Sequence, residues 1–251
     1  MNNPFSLYSR YYDLFYKDKN YAAESEFVQN QLRPYIAPQA HLLELGCGTG
    51  RHAEHFCRAG YTVTGIDRSA DMIREAGNKH IPGFHTQQSL ISNFSLPHQF
   101  DAAFSLFHVV SYLTTNHELA ACFQHTFRHL KPGGIFCFDC WYGPAVLHEL
   151  PEIRIKKLYD HDLALTRTAT PAIDIENNTV HVSYNVSIEN KKTGELDRLN
   201  EDHLMRYFTI PEIRWMAGMA GFTVLKTEEF MTSGKTTLNT WNLFVMLQKP
   251  A

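Results

Sequence analysis

The chain has no long apolar run. Nowhere do the roughly 18 unbroken apolar residues of a membrane-spanning helix occur, so no membrane span is expected. Cysteine is sparse: five in 251 residues, an odd number without disulfide-scaffold spacing, which points to a reducing cytoplasm. Basic charge is not in excess either. Net charge is −3 and no basic stripe is visible, so nucleic acid is not an expected partner. The opening stretch MNNPFSLYSRYYDLFY lacks a basic region followed by an apolar one, and no signal peptide is expected. Repeats and low-complexity tracts are missing too. Cys137-x-x-Cys140 stands as a single pair inside an apolar strand, and His52 and His55 have no evident third ligand, so no metal site is expected.

What is present is ordinary globular composition, 44% hydrophobic and 20% charged, with aromatic residues crowding the first twenty positions. At this length one domain with one insertion is the simplest organisation. Helical patterns are expected from about Asn20 to Tyr35, Thr49 to Ala59, Ser69 (as N-cap) to Lys79, and Asn116 to Leu130. Between them lie short apolar runs that read as buried strands: HLLELG from His41, YTVTGID from Tyr61, FDAAFSLF from Phe100 and IFCFDCW from Ile135. Such alternation predicts an α/β fold with a doubly wound, mostly parallel sheet. Between about Ile153 and Phe208 the pattern changes to β-like runs with turn signals. An antiparallel insertion over residues 151–208, lying across the open edge of the sheet, is expected within a core formed by 1–150 and 209–251. A helix from about Pro211 to Ala220 and two strands follow, the last, opening with Trp241, fitting an inserted strand at the sheet edge.

The most informative segment is Glu44-Leu45-Gly46-Cys47-Gly48-Thr49-Gly50, between a strand and a helix. Glycines there allow a tight turn and close approach of a ligand, at the strand ends where open α/β sheets bind ligands. The next strand ends in Asp67, followed by Arg68, and a carboxylate at Asp67 can accept hydrogen bonds from both hydroxyls of a ribose. A dinucleotide favours G-x-G-x-x-G to seat its pyrophosphate on the helix N-terminus. Here the spacing is G-x-G-x-G, and Glu44 adds negative charge before the turn. That suits a cationic nucleoside better than a pyrophosphate, with a nicotinamide cofactor as the competing reading.

ELGCGTG, Asp67, FDAAFSLF and LKPGGIFCFD together resemble the successive motifs of class I methyltransferases over residues 41 to 141. The resemblance implies S-adenosylmethionine as cofactor. It places the aminoacyl part on Gly46, Cys47 and Gly48, the ribose on Asp67, Met72 over the adenine, and Leu106 and Phe107 on the methionine side. Ser89 and Leu90 fall where the adenine amine is met; an acid is usual at the position of Ser89.

YDLFYKDKNYAAE (Tyr12 to Glu24), GTGRHAEHF and FHVVSYLTTNHEL are similar to TDP-aminosugar N,N-dimethyltransferases. That similarity implies an amine on a nucleotide-linked sugar as substrate, with another small metabolite methylated at oxygen or nitrogen as the alternative. By the same carry-over Tyr16 would orient the reacting groups and Tyr21 would meet the cofactor carboxylate. His108 and Tyr112, after the fourth strand, are candidates to accept the amine proton, His108 having the more useful intrinsic chemistry. Trp141 and Tyr142 could stack on a base or sugar. Arg206 could meet a substrate anion or pair with Glu201 or Asp202. The insertion is a candidate homodimer surface.

Overall fold

β1 (His41–Leu45) alternates its leucines between two cores. Leu42 joins Val63, Phe104, Phe56 and Leu32 on one face of the sheet, while Leu43 and Leu45 join Phe123, Phe138, Ile213 and Met216 on the other. A strand buried on both faces belongs in the middle of a helix-covered parallel sheet. The computed structural model describes Tyr16, residues 19–159 and residues 162–251.

Seven strands form the core sheet: β1, β2 (Thr62–Asp67), β3 (Phe84–Gln88), β4 (Phe100–Ser105), β5 (Leu130–Tyr142), β10 (Thr223–Glu229) and β11 (Asn242–Gln248). Their order is β3-β2-β1-β4-β5-β11-β10, all parallel except β11. β11 is thus an inserted strand, as expected, but it lies between β5 and β10, and β10 takes the edge. The apolar run from Leu243 to Leu247 explains the position, since it is wholly buried whereas β10 is half-buried.

Helices α1 (Tyr21–Leu32) and α2 (Arg51–Arg58) cover one face. α4 (Asn116–His129) and α6 (Ile210–Ala220) cover the other, while α3 (Ala70–Asn78) joins β2 to β3. Local chemistry sets their starts. Asn20 caps α1, Ser69 accepts from the Met72 amide, and Thr115 with Glu118 closes a reciprocal capping box on α4. α1 stops at Leu32, short of Tyr35.

α5 (Gly143–His148) leads into four antiparallel strands, β6 (Arg154–Tyr159), β7 (Leu163–Asp174), β8 (Thr179–Asn190) and β9 (Leu196–Phe208). This meander does not lie across an open edge. β9 docks on the end of β5, pairing Tyr207 with Trp141 and Phe208 with Tyr142, so the two sheets run together above the carboxyl ends of the parallel strands.

Candidate active site

Gly46, Gly48 and Gly50 all take left-handed φ angles, +74°, +52° and +78°. At Gly46 a Cβ would stand 2.4 Å from Val109 Cγ1, so the turn packs directly on the loop after β4. Gly48 faces open space. Its amide donates to Asp67 Oδ2 at 2.9 Å, and the Ser69 amide donates to Oδ1 at 2.8 Å. Burial pushes the Asp67 carboxyl above its ordinary range, although those two amides oppose the shift.

These groups open into a cavity of about 340 Å³. Of the residues singled out by sequence, Tyr16, Tyr21, Gly46, Cys47, Gly48, Asp67, Met72, Leu106, Phe107, His108, Tyr112 and Trp141 line it. A second cavity of about 150 Å³ shares Gly46, Asp67 and Tyr112 and adds Arg68, Leu90 and Glu118.

Four residues stand elsewhere. Glu44 lies beneath the turn, 2% exposed, with Oε2 lacking a hydrogen-bond partner and His52 Nδ1 at 3.9 Å from Oε1. Burial, and then the charge of Asp67, push its carboxyl well above the usual range. The Ser89 hydroxyl donates to the Asn93 carbonyl, and its amide to the Asp67 carbonyl. Tyr142 packs against the core. Arg206 is turned to Glu212 and the Thr114 carbonyl, because its position on β9 faces α6; neither Glu201 nor Asp202 is its partner.

The start of α1 is tied to the glycine turn by charge. His52 Nε2 lies 2.8 Å from Glu24 Oε2, and Lys19 pairs with the same carboxylate. Lys19 also sits 4.1 Å above the Phe107 ring, and Arg51 5.1 Å from that of Tyr21. Tyr16 meets Phe107 edge-on at 4.9 Å and accepts from Arg167 Nη1 at 3.2 Å. The rest of the YDLFY stretch lies outside the described residues.

Phe107 and His108 both hold left-handed backbone, φ 68° and 59°, a conformation of the kind that clusters at functional sites. His108 Nδ1 stands 2.9 Å from Asp139 Oδ2, and its amide donates to Oδ1 at 3.1 Å. Burial alone would raise the Asp139 carboxyl; the charge and hydrogen bonds of His108 outweigh it and hold the carboxyl low.

Sequence reasoning missed the far wall: Arg167, Tyr184, His203 and Met205 of the meander. Alternation was visible in NTVHVSYNVSI and EDHLMRYF, but not which face turns inward. Thr49, Arg51, His52 and Val109 complete the lining.

A methyltransferase-domain family matches residues 42–134, the stretch that carries the glycine turn, Asp67 and β4. Residues 42–134 are thus similar to a methyltransferase domain. The chain is 36% identical over 135 residues to the dTDP-3-amino-3,4,6-trideoxy-alpha-D-glucopyranose N,N-dimethyltransferase of Streptomyces venezuelae, covering 53% of this chain and 56% of that one. It thus spans about half the length of that curated relative. The crystal structure of Streptomyces venezuelae DesVI superposes with a TM-score of 0.81 at 25% identity, over 97% of this chain and 98% of that one. CalS10, an amino pentose methyltransferase from Micromonospora echinaspora, shares the fold at 22% identity with a TM-score of 0.77 over 99% of each chain.

Proposed function

We propose that the chain transfers methyl groups from S-adenosylmethionine to the amino group of a nucleotide-linked aminosugar. The observation that carries the reading is a cavity with two unlike ends. One is a glycine turn with the half-buried Asp67 carboxyl on its lining and the buried Glu44 carboxyl beneath it; the other is a wall of aromatic and basic side chains, Tyr16, Arg167 and Tyr184. The buried Glu44 oxygen without a partner and the open space at Gly48 fit a cationic nucleoside with no phosphate.

When bound, S-adenosylmethionine supplies an electrophilic methyl carbon attached to a positively charged sulfur. On this reading Gly46, Cys47 and Gly48 receive the aminoacyl end, Asp67 the ribose, and Met72, Arg68 and Leu90 surround the adenine. Tyr21 covers the carboxylate, with Arg51 stacked behind it. Tyr16, Leu106 and Phe107 hold the reacting atoms in line, and alignment of two bound reactants supplies much of the rate. His108, fixed by Asp139, orients the amine, and Trp141 stacks on the sugar or base. The amine must lose a proton to attack, so one acceptor suffices.

The same reading makes residues 151–208 the acceptor-binding unit and the outer face of the meander the contact in a homodimer. The five unpaired cysteines fit a reducing cytoplasm. Light scattering that returns the mass of one chain removes the dimer. Calorimetry with S-adenosylhomocysteine against NADH tests the cofactor: binding of the first and not the second is expected. Mass spectrometry after incubation with TDP- and UDP-aminosugars tests the acceptor through a gain of one or two methyl groups. Transfer to a different small metabolite and to none of these sugars would overturn the acceptor class.

A further inference from the structure

The cavity wall holds a line of polar side chains to which in-line transfer assigns no task. Tyr112, in the single helical turn after β4, has its hydroxyl 2.8 Å from His203 Nδ1. His203 Nε2 lies 3.3 Å from Glu201 Oε2. Tyr112 borders both cavities, His203 is 3% exposed and Glu201 5%.

The order of donors follows from the chemistry of the groups. A carboxylate only accepts, so with Glu201 ionised the ring proton belongs on Nε2 of His203. Nδ1 is then the acceptor, and the Tyr112 hydroxyl donates to it. A phenol oxygen that donates its proton can also accept through its lone pairs.

The neighbours of His203 fit this order. Tyr184 of β8 packs edge-on at 4.8 Å, with Arg167 of β7 4.7 Å from the Tyr184 ring, and Arg68 is 5.9 Å from that of Tyr112. Among these groups Glu201 is the one anion, and it stands beside the imidazole.

We propose that Tyr112, His203 and Glu201 form the exit path for the proton of the acceptor amine. The inference rests on the amine-methylating function above. A substrate ammonium N–H donates to the Tyr112 oxygen. As that proton crosses, the hydroxyl proton passes to His203 Nδ1. The nitrogen keeps the electron pair of its broken N–H bond and becomes the nucleophile. Tyr112 ends as the neutral phenol it began as, and His203 ends as an imidazolium paired with Glu201. Burial, then the neighbouring Tyr16 and Tyr184, push the Tyr112 phenol well up. A standing tyrosinate is disfavoured, which suits a hydroxyl that relays a proton without retaining a charge. Tyr112 meets the amine; His203 and Glu201 act through it.

Two measurements test the path. Nitrogen-15 NMR of the histidine-labelled, ligand-free protein, with His203→Gln for assignment, should find His203 protonated on Nε2, its signals moving in Tyr112→Phe. A proton on Nδ1 overturns the path whatever the acceptor. In kinetics on an aminosugar, Tyr112→Phe and His203→Gln should each lower kcat about 10²–10⁴-fold near neutral pH, with KM little changed. The deficit should narrow as pH rises toward the pKa of the amine, because the substrate then arrives neutral. A deficit of the same size at every pH marks a structural role and overturns the relay. If the wild-type chain methylates no amine, the functional reading and the relay fall together, and the tautomer still reports on the hydrogen-bond order.

Discussion

Replacing Gly46 by alanine should harm the protein far more than the same change at Gly48, and for different reasons. Both residues have positive φ, which a side chain tolerates at a strain of about 1–2 kcal/mol. At Gly48 nothing lies within 4 Å of the new methyl group, so that strain is the whole folding penalty. At Gly46 the methyl carbon would meet Val109 Cγ1 at 2.4 Å, Cγ2 at 2.8 Å and Cβ at 3.1 Å. Rotating Val109 gives no relief, because its Cβ is itself too close. The turn and the loop after β4 must separate, and such overpacking adds about 1–3 kcal/mol. Gly46→Ala should therefore lose about 2–5 kcal/mol in urea unfolding, and Gly48→Ala about 1–2. At about 2–4 °C per kcal/mol the first corresponds to a drop of roughly 4–20 °C in Tm. Calorimetry with S-adenosylhomocysteine should show the reverse emphasis for Gly48→Ala: the smaller loss of stability but weakened binding, since its methyl group projects into the open space that the proposed function gives to the cofactor. Equal stability of the two variants, together with unchanged affinity in Gly48→Ala, would refute the geometry of the turn.

Asp67→Ala should weaken S-adenosylhomocysteine by at least about 1–3 kcal/mol, the scale for removing hydrogen bonds to a charged group; native affinity would take Asp67 out of the site. Glu44 has a folded-state pKa raised by burial and by Asp67. Its stabilising contribution is full below the unfolded value of about 4.3 and is lost as pH rises through the raised value. Glu44→Gln should flatten that decline, leave the ligand-free protein more stable at alkaline pH and weaken cofactor binding; superimposable pH–stability curves count against it. Asp139 shows the opposite sign, its folded pKa being held low despite burial, so its contribution is present above the ordinary carboxylate range and fades in acid. His108→Leu removes the side-chain partner of that carboxylate and should cost about 3–5 kcal/mol at neutral pH, a deficit that shrinks once Asp139 is protonated; a loss under about 1 kcal/mol, the scale of an exposed pair, contradicts the pairing.

The sequence alone determined those features whose physics is local. A glycine turn needs left-handed backbone at particular positions, a capping serine acts three residues away, and an apolar run ending in Asp67 or Phe107 declares a strand and its carboxyl end. The glycine-turn half of the cavity was therefore legible from Glu44 to Phe107, and most of the residues expected there do line it. Tertiary structure decided the opposite wall. Tyr112 meets His203 across 91 positions and Tyr16 meets Arg167 across 151. A two-residue period gives a strand two faces without saying which one turns inward. Only the docking of β9 on β5 turned Arg167, Tyr184 and His203 toward the cavity, sent Arg206 to Glu212, and placed β11 between β5 and β10 rather than at the edge.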